Sequence, residues 1–228
     1  MNVPQVRRTG VWDLPLRLLH WSLLVCVVAA CISARLNGDT ALRVHFLAGY
    51  CALALVLFRL LWGFCGTRPA LFSSFVHRPA VVLDYLRSKH AGVVRGHSPL
   101  GGWAVIALLA VTAAIAVSGL FTNDEISSEG PLAQFVSEKA VHRFSNVHAW
   151  CEIALYAIVA LHVLAVAYYR AFRKRDLVTP MITGYTKEPS TPDEAQALDP
   201  NTADINARAV IVFAICAGLA AFIATLGR

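Results

Sequence analysis

Charge is what this chain has least of. Only 15% of its 228 residues are Asp, Glu, Lys or Arg, against about 25% in an ordinary soluble domain. Hydrophobic residues make up 57%, and the mean hydropathy of +0.58 excludes a soluble globular class and makes this a membrane protein by composition. No C-x-x-C-H motif occurs, so covalent c-type haem attachment has no support. The six cysteines, Cys26, Cys31, Cys51, Cys65, Cys151 and Cys216, are scattered singly and read as small buried hydrophobes. Internal repeats and low-complexity tracts are absent. No separate soluble basic domain exists either, so the formal charge of +6 does not indicate nucleic-acid binding.

What is present is a set of long apolar runs. Five spans are predicted, over roughly 15–34, 42–64, 101–121, 147–169 and 207–227, each long enough to cross a hydrocarbon core at 1.5 Å per residue. The first could be mistaken for a signal peptide ending at Ser33-Ala34, but its length and its His20-Trp21 pair favour a retained helix. Basic residues cluster before span one (Arg7, Arg8, Arg17), between spans two and three (Arg68, Arg78, Arg87, Lys89, Arg95) and after span four (Arg170, Arg173, Lys174, Arg175). The stretch between spans three and four is acidic, with Asp124, Glu125, Glu129 and Glu138 against Lys139 and Arg143. The positive-inside rule then predicts a cytoplasmic N-terminus, second loop and 170–206 segment, and a periplasmic C-terminus at Arg228.

Local signals fill in the connections. Asn37-Gly38-Asp39 predicts a tight hairpin between spans one and two. Residues 79–89 read as a short amphipathic helix on the cytoplasmic interface, or as an ordinary solvated connection. Ser98 and Pro99 mark the start of span three as N-cap and first helical residue. Residues 185–206, with Pro189, Pro192 and Pro200, read as a flexible linker to a structural fifth span.

Two histidines carry the chemistry. His148 and His162 lie fourteen residues apart in span four, a spacing that returns to within about 40° of the starting direction and advances about 21 Å. Both imidazoles therefore face one way, near opposite sides of the bilayer. Polar side chains there mark function by default, and two stacked histidines suggest two stacked haems. Depth supplies the partners: His45, early in span two, matches His148, and His20, early in span one, matches His162. Two bis-histidine sites with both axial positions filled suit electron transfer better than oxygen binding.

Other histidines fit less well. His142 precedes His162 by twenty residues, on the opposite face and before the membrane, while His77, His90 and His97 read as solvated, His97 alone being near enough to touch a propionate. Arg59 follows His45 by fourteen residues, so it either pairs with a propionate of the inner haem or snorkels to the cytoplasmic interface. Gly49 and Gly119 would let a flat macrocycle, or simply another helix, approach closely. A metal transporter also uses histidines, but it would show more intramembrane carboxylates than Glu152 alone.

Several motifs together resemble the bacterial cytochrome b561 family. They are Val11-Trp12-Asp13 with Arg17 and His20-Trp21, His45-x-x-x-Gly49-Tyr50, residues 59–66 (Arg-Leu-Leu-Trp-Gly-Phe-Cys-Gly), residues 96–101 (Gly-His-Ser-Pro-Leu-Gly) and residues 177–184 (Leu-Val-Thr-Pro-Met-Ile-Thr-Gly). The superfamily includes the b-type subunits of nickel–iron hydrogenases and formate dehydrogenases. The resemblance implies an all-α integral membrane bundle: a four-helix diheme core over residues 10–184, a cytoplasmic linker over 185–206 and an additional transmembrane helix over 207–228. It implies two non-covalent b-type haems on His20, His45, His148 and His162, and quinone as substrate in the bacterial inner membrane. Stand-alone members imply electron transfer between the quinone pool and a periplasmic cytochrome c or superoxide. The alternative is a membrane anchor relaying electrons from a periplasmic hydrogenase or dehydrogenase to quinone. The acidic outer stretch could dock a basic cytochrome c.

Overall fold

In lipid the backbone must satisfy its own hydrogen bonds, which leaves helices as the economical way to cross. The computed structural model describes residues 9–87, 96–123, 128–186 and 203–227, and it is an all-α bundle. Among the described residues five helices are long and apolar enough to span a membrane: α1 (Leu14–Ser33), α2 (Asp39–Cys65), α5 (Pro99–Gly119), α6 (Glu138–Ala171) and α8 (Ala203–Thr225). Between them lie a 3-10 turn at Arg68–Ala70, short helices α3 (Phe72–Phe75) and α4 (Pro79–Arg87), a second 3-10 turn at Ala133–Phe135, and α7 (Val178–Thr183). Strand β1 (Thr9–Gly10) pairs antiparallel with β2 (Tyr185–Thr186). Large apolar side chains such as Leu47, Leu61, Phe64, Leu161 and Ile211 stay exposed, as helices packed in lipid require.

Helix ends follow local chemistry. Ser98 caps α5, its Oγ accepting from the Gly101 amide at 3.1 Å, and Pro99 opens the helix as the sequence indicates. Gly38, at φ +100°, turns the chain between α1 and α2. Asp176 accepts from the amides of Val178 and Thr179 at 3.1 and 3.0 Å and so starts α7.

One expectation is corrected by the length of α6. The acidic stretch before span four is not all loop, because Glu138, Lys139, His142 and Arg143 already belong to this 34-residue helix. Glu138 in its first turn favours the positive end of the helix dipole, so the helix starts well before its apolar part. Arg7, Arg8, Lys89, His90, Arg95, Asp124, Glu125, Arg228 and linker residues 187–202 lie outside the described residues.

The fold divides into two compact units, and each long helix contributes a segment to both. The first comprises Met1–Leu18, Leu61–Ala104 and His162–Val210. Its organising residue is Asp13, which is fully buried. The Asp13 carboxylate accepts from the Leu16 amide at 2.6 Å, from Trp62 Nε1 at 3.1 Å and from the Thr67 hydroxyl. It thereby caps α1 and ties it to the end of α2. The chain on either side of Asp13 clasps residues near 184: Val11 N donates to Gly184 O at 2.8 Å, and Arg17 Nη1 donates to Ile182 O at 2.5 Å. Arg208 of α8 donates to Cys65 O, one of the carbonyls left over at the end of α2.

The second unit comprises Leu19–Leu60, Val105–Leu161 and Ile211–Arg228. Its packing centres on Leu53, Ala54, Leu120 and Ala220, with Tyr50, Phe121 and Ala217 against them. The small residues allow α2 and α8 to approach closely, and Phe58 meets Phe213 edge-on at 6.0 Å.

Candidate functional site

Within the second unit, α2 and α6 present His45 and His148 to each other. Their ring centroids are 6.3 Å apart with the planes at 75°. Each ring is held by its Nδ1: His45 Nδ1 lies 3.0 Å from Ala30 O of α1, and His148 Nδ1 lies 2.9 Å from Ile115 O of α5. A carbonyl oxygen only accepts, so Nδ1–H donates and the lone pair of each imidazole sits on Nε2. No hydrogen bond to either Nε2 is present among the described residues. The Ser118 hydroxyl lies 3.3 Å from His148 Nδ1, so it adds to the same anchor.

This arrangement fits a cofactor with two axial nitrogen ligands. Two metal–nitrogen bonds of about 2 Å each, with about 1.1 Å from Nε2 to its own ring centre, require centroids about 6 Å apart. The second-shell carbonyls fix tautomer and ring direction, as they do for metal-bound histidines generally. Gly119 flanks the pair, and a Cβ there would come 3.0 Å from His148 Cε1, so the glycine leaves the room this ring needs. Among the described residues no group of three or more His, Cys, Asp or Glu could hold a metal ion.

A model of the prokaryotic cytochrome b561 family matches residues 11–184. The chain belongs to that family. As a cytochrome b561 it binds b-type haem and carries electrons across a bacterial membrane through a multi-pass helical bundle. No curated protein and no solved structure matches the chain.

The remaining histidines and Arg59 fall as follows. His20, half-buried, belongs to the second unit and stands edge-on to Trp21 at 5.1 Å. His162 belongs to the first unit and is exposed on α6. Arg59 is only 3% exposed, which argues against a side chain snorkelling to water. Gly49 has open space around it. Two solvated assignments are corrected: His97 sits between the rings of Trp12 and Phe75, at 4.6 and 4.4 Å, and His77 Nδ1 is held 2.8 Å from Phe75 O. Both lie in the α2–α5 connection, where α3 brings Phe75 against the ring of His97 instead of leaving it in water. His142 is exposed, 3.9 Å from Glu138 on the same helix.

Three features were not read from the residues. Asp13 carries an N-cap signature, an acid just before an apolar run containing Pro15, but nothing local names Trp62 and Thr67 as partners. The carbonyls of Ala30 and Ile115 are backbone groups and leave no trace in residue type. Glu152 and Tyr156 are four residues apart on α6, a spacing that signals a pair, and Arg35 completes the group from the α1–α2 turn.

Proposed function

We propose that this cytochrome b561 is a diheme protein, with His45 and His148 as axial ligands of one b haem and His20 and His162 as ligands of the other. The facing pair of rings, each with Nδ1 anchored on a carbonyl, carries the reading. The second pair rests on spacing: His148 and His162 lie on one unbroken helix, α6, where fourteen residues return nearly to the same face after about 21 Å. Arg59, buried one haem level from His45, would hold an inner propionate.

Bound haem supplies one-electron chemistry between Fe(III) and Fe(II). The chain's own part would be to supply histidine nitrogens as ligands, and to hold the His45 and His148 imidazoles in one tautomer through the Ala30 and Ile115 carbonyls, so that little rearranges when charge moves. In this reading electrons pass between the quinone pool of the inner membrane and a periplasmic-side acceptor, a cytochrome c or superoxide. The N-terminus is cytoplasmic and α8 ends in the periplasm, as the distribution of basic residues indicates.

A dithionite-reduced minus oxidised spectrum, with pyridine haemochrome quantitation per chain, tests the proposal. Two b haems per chain are expected, with little carbon monoxide binding. One haem per chain would remove the second site.

A further inference from the structure

Two short segments of the first unit carry six basic residues. Arg78 precedes α4 and Arg87 ends it, while Arg170, Arg173, Lys174 and Arg175 gather where α6 ends. Residues 78–87 and 170–176 hold only two carboxylates, Asp84 and Asp176. Asp176 is already engaged: it accepts from the Val178 and Thr179 amides and the Thr179 hydroxyl, and its Oδ1 lies 3.5 Å from Arg170. Arg78, Arg87, Arg170, Arg173 and Lys174 are exposed and Arg175 is half-buried. Like charges gathered this closely repel one another unless an anion lies among them.

The two segments are tied together. Tyr85 of α4 and Tyr169 of α6 meet hydroxyl to hydroxyl at 3.3 Å. Lys174 takes a left-handed backbone at φ +51°, and Arg175 N donates back to Tyr169 O at 3.1 Å, so the chain leaving α6 folds onto its last turn. Arg173 and Arg175 both lie within electrostatic reach of the Tyr169 hydroxyl. Guanidinium and phenol groups therefore converge where α4 joins α6.

Apolar groups border the same place. Tyr168 and Phe172, with rings 5.3 Å apart, are exposed at the end of α6, and α4 exposes Val81 and Leu83. Exposed rings and aliphatic side chains beside arginines suit a bilayer interface, where apolar bodies enter the acyl layer and cations stay among the headgroups. A soluble anion would satisfy the charges and leave those apolar groups in water.

We infer that α4 and the end of α6 together form a binding site for the headgroup of an anionic phospholipid. The phosphate sits among Arg173, Arg175 and the Tyr85–Tyr169 pair, Arg78 and Arg87 add to its attraction from α4, and the acyl chains run past Phe172, Val81 and Leu83. In the orientation proposed above this is the cytoplasmic leaflet. The site stands independently of how the haem ligands pair.

The test counts the lipids kept by detergent-purified holoprotein in native mass spectrometry, with dioleoylphosphatidylglycerol or dioleoylphosphatidylcholine as the probe. The parent should bind phosphatidylglycerol at least about tenfold more tightly than phosphatidylcholine, and the preference should shrink in about 0.5 M ammonium acetate. Arg173→Gln/Arg175→Gln should lower the phosphatidylglycerol affinity about thirtyfold, since each cation near an anionic surface is worth about fivefold. Its phosphatidylcholine binding, haem content and dithionite spectrum should stay those of the parent. Lys139→Gln/Arg143→Gln removes the same charge from exposed positions at the other end of α6 and should match the parent. An equal loss there would show that net charge alone is read and would overturn the site. Equal affinity of the parent for the two lipids, or a parent-like preference in Arg173→Gln/Arg175→Gln, would also overturn it. If that variant does not keep its haem, Arg78→Gln/Arg87→Gln decides from the α4 side, and a parent-like preference there would overturn the shared site. Displacement of the lipid by an equimolar poly-glutamate peptide would assign the patch to an acidic protein partner and overturn the lipid reading.

Discussion

Gly119 of α5 leaves room for the ring of His148: a Cβ built at 119 would lie 3.0 Å from Cε1 and 3.3 Å from Nδ1. The imidazole is confined between that backbone and the Ile115 carbonyl it bonds at 2.9 Å. A methyl group there forces the ring to give by a few tenths of an ångström, away from its anchor. Gly119→Ala should therefore shift the midpoint potential or lower the occupancy of one haem only. Redox titration at the haem α band measures this. Gly119 ends α5 without a positive φ, so its backbone accepts Ala and loss of haem without loss of fold is the expected pattern.

The ligand pairs can be separated by deletion. His45→Ala and His148→Ala should lose the same haem, and His20→Ala and His162→Ala the other, each leaving one haem per chain by pyridine haemochrome. Matching low-temperature spectra within each pair is the expected outcome. A common haem lost by His45→Ala and His162→Ala would overturn the pairing.

Asp13 is fully buried and answers three donors. Asp13→Ala leaves the Trp62 indole and the Thr67 hydroxyl without their acceptor and removes the cap of α1. A loss of roughly 2–4 kcal/mol is expected, read as a lowered unfolding midpoint in detergent. Thr67→Val removes one donor at similar volume and should cost about 1 kcal/mol.

The hydroxyl of Thr179 is the largest influence on Asp176, followed by the amides of Thr179 and Val178 and by Arg170, and together they hold its carboxyl below the usual carboxylate range. A carboxyl with a depressed folded value favours the folded state above its unfolded value of about 3.9. That contribution disappears as pH falls through the lower folded value. The protection factors of the Val178 and Thr179 amides, taken relative to the intrinsic exchange rate at each pH, should therefore fall below about pH 4. Asp176→Ala should show fast exchange already at neutral pH and no further acid dependence of this kind.

Removing α8 should leave the b-haem spectrum while lowering stability in detergent. Ala220 of α8 packs with Leu53, Ala54 and Leu120, and Arg208 caps α2 through Cys65 O, but α8 carries no histidine. Thermal unfolding of a chain ending near residue 186, followed at the haem band, measures both effects.

The spans are legible in the residues alone, because a single segment in lipid satisfies its own backbone only as a helix and its long apolar run reveals it. The residues alone also determine that His148 and His162 share a face, since that depends on spacing along one helix. The tertiary structure decided what crosses between helices. Which carbonyl anchors each imidazole, Ala30 for His45 and Ile115 for His148, depends on the rotation of α1 and α5 about their own axes. Backbone oxygens are identical in every residue type, so no sequence pattern records that choice. Trp62 and Thr67 reach Asp13 from 49 and 54 residues away, and Arg35 reaches Glu152 from 117 away. Those contacts exist only once close packing has set the helices in register, because a hydrogen bond tolerates tenths of an ångström where a hydrophobic span tolerates whole turns.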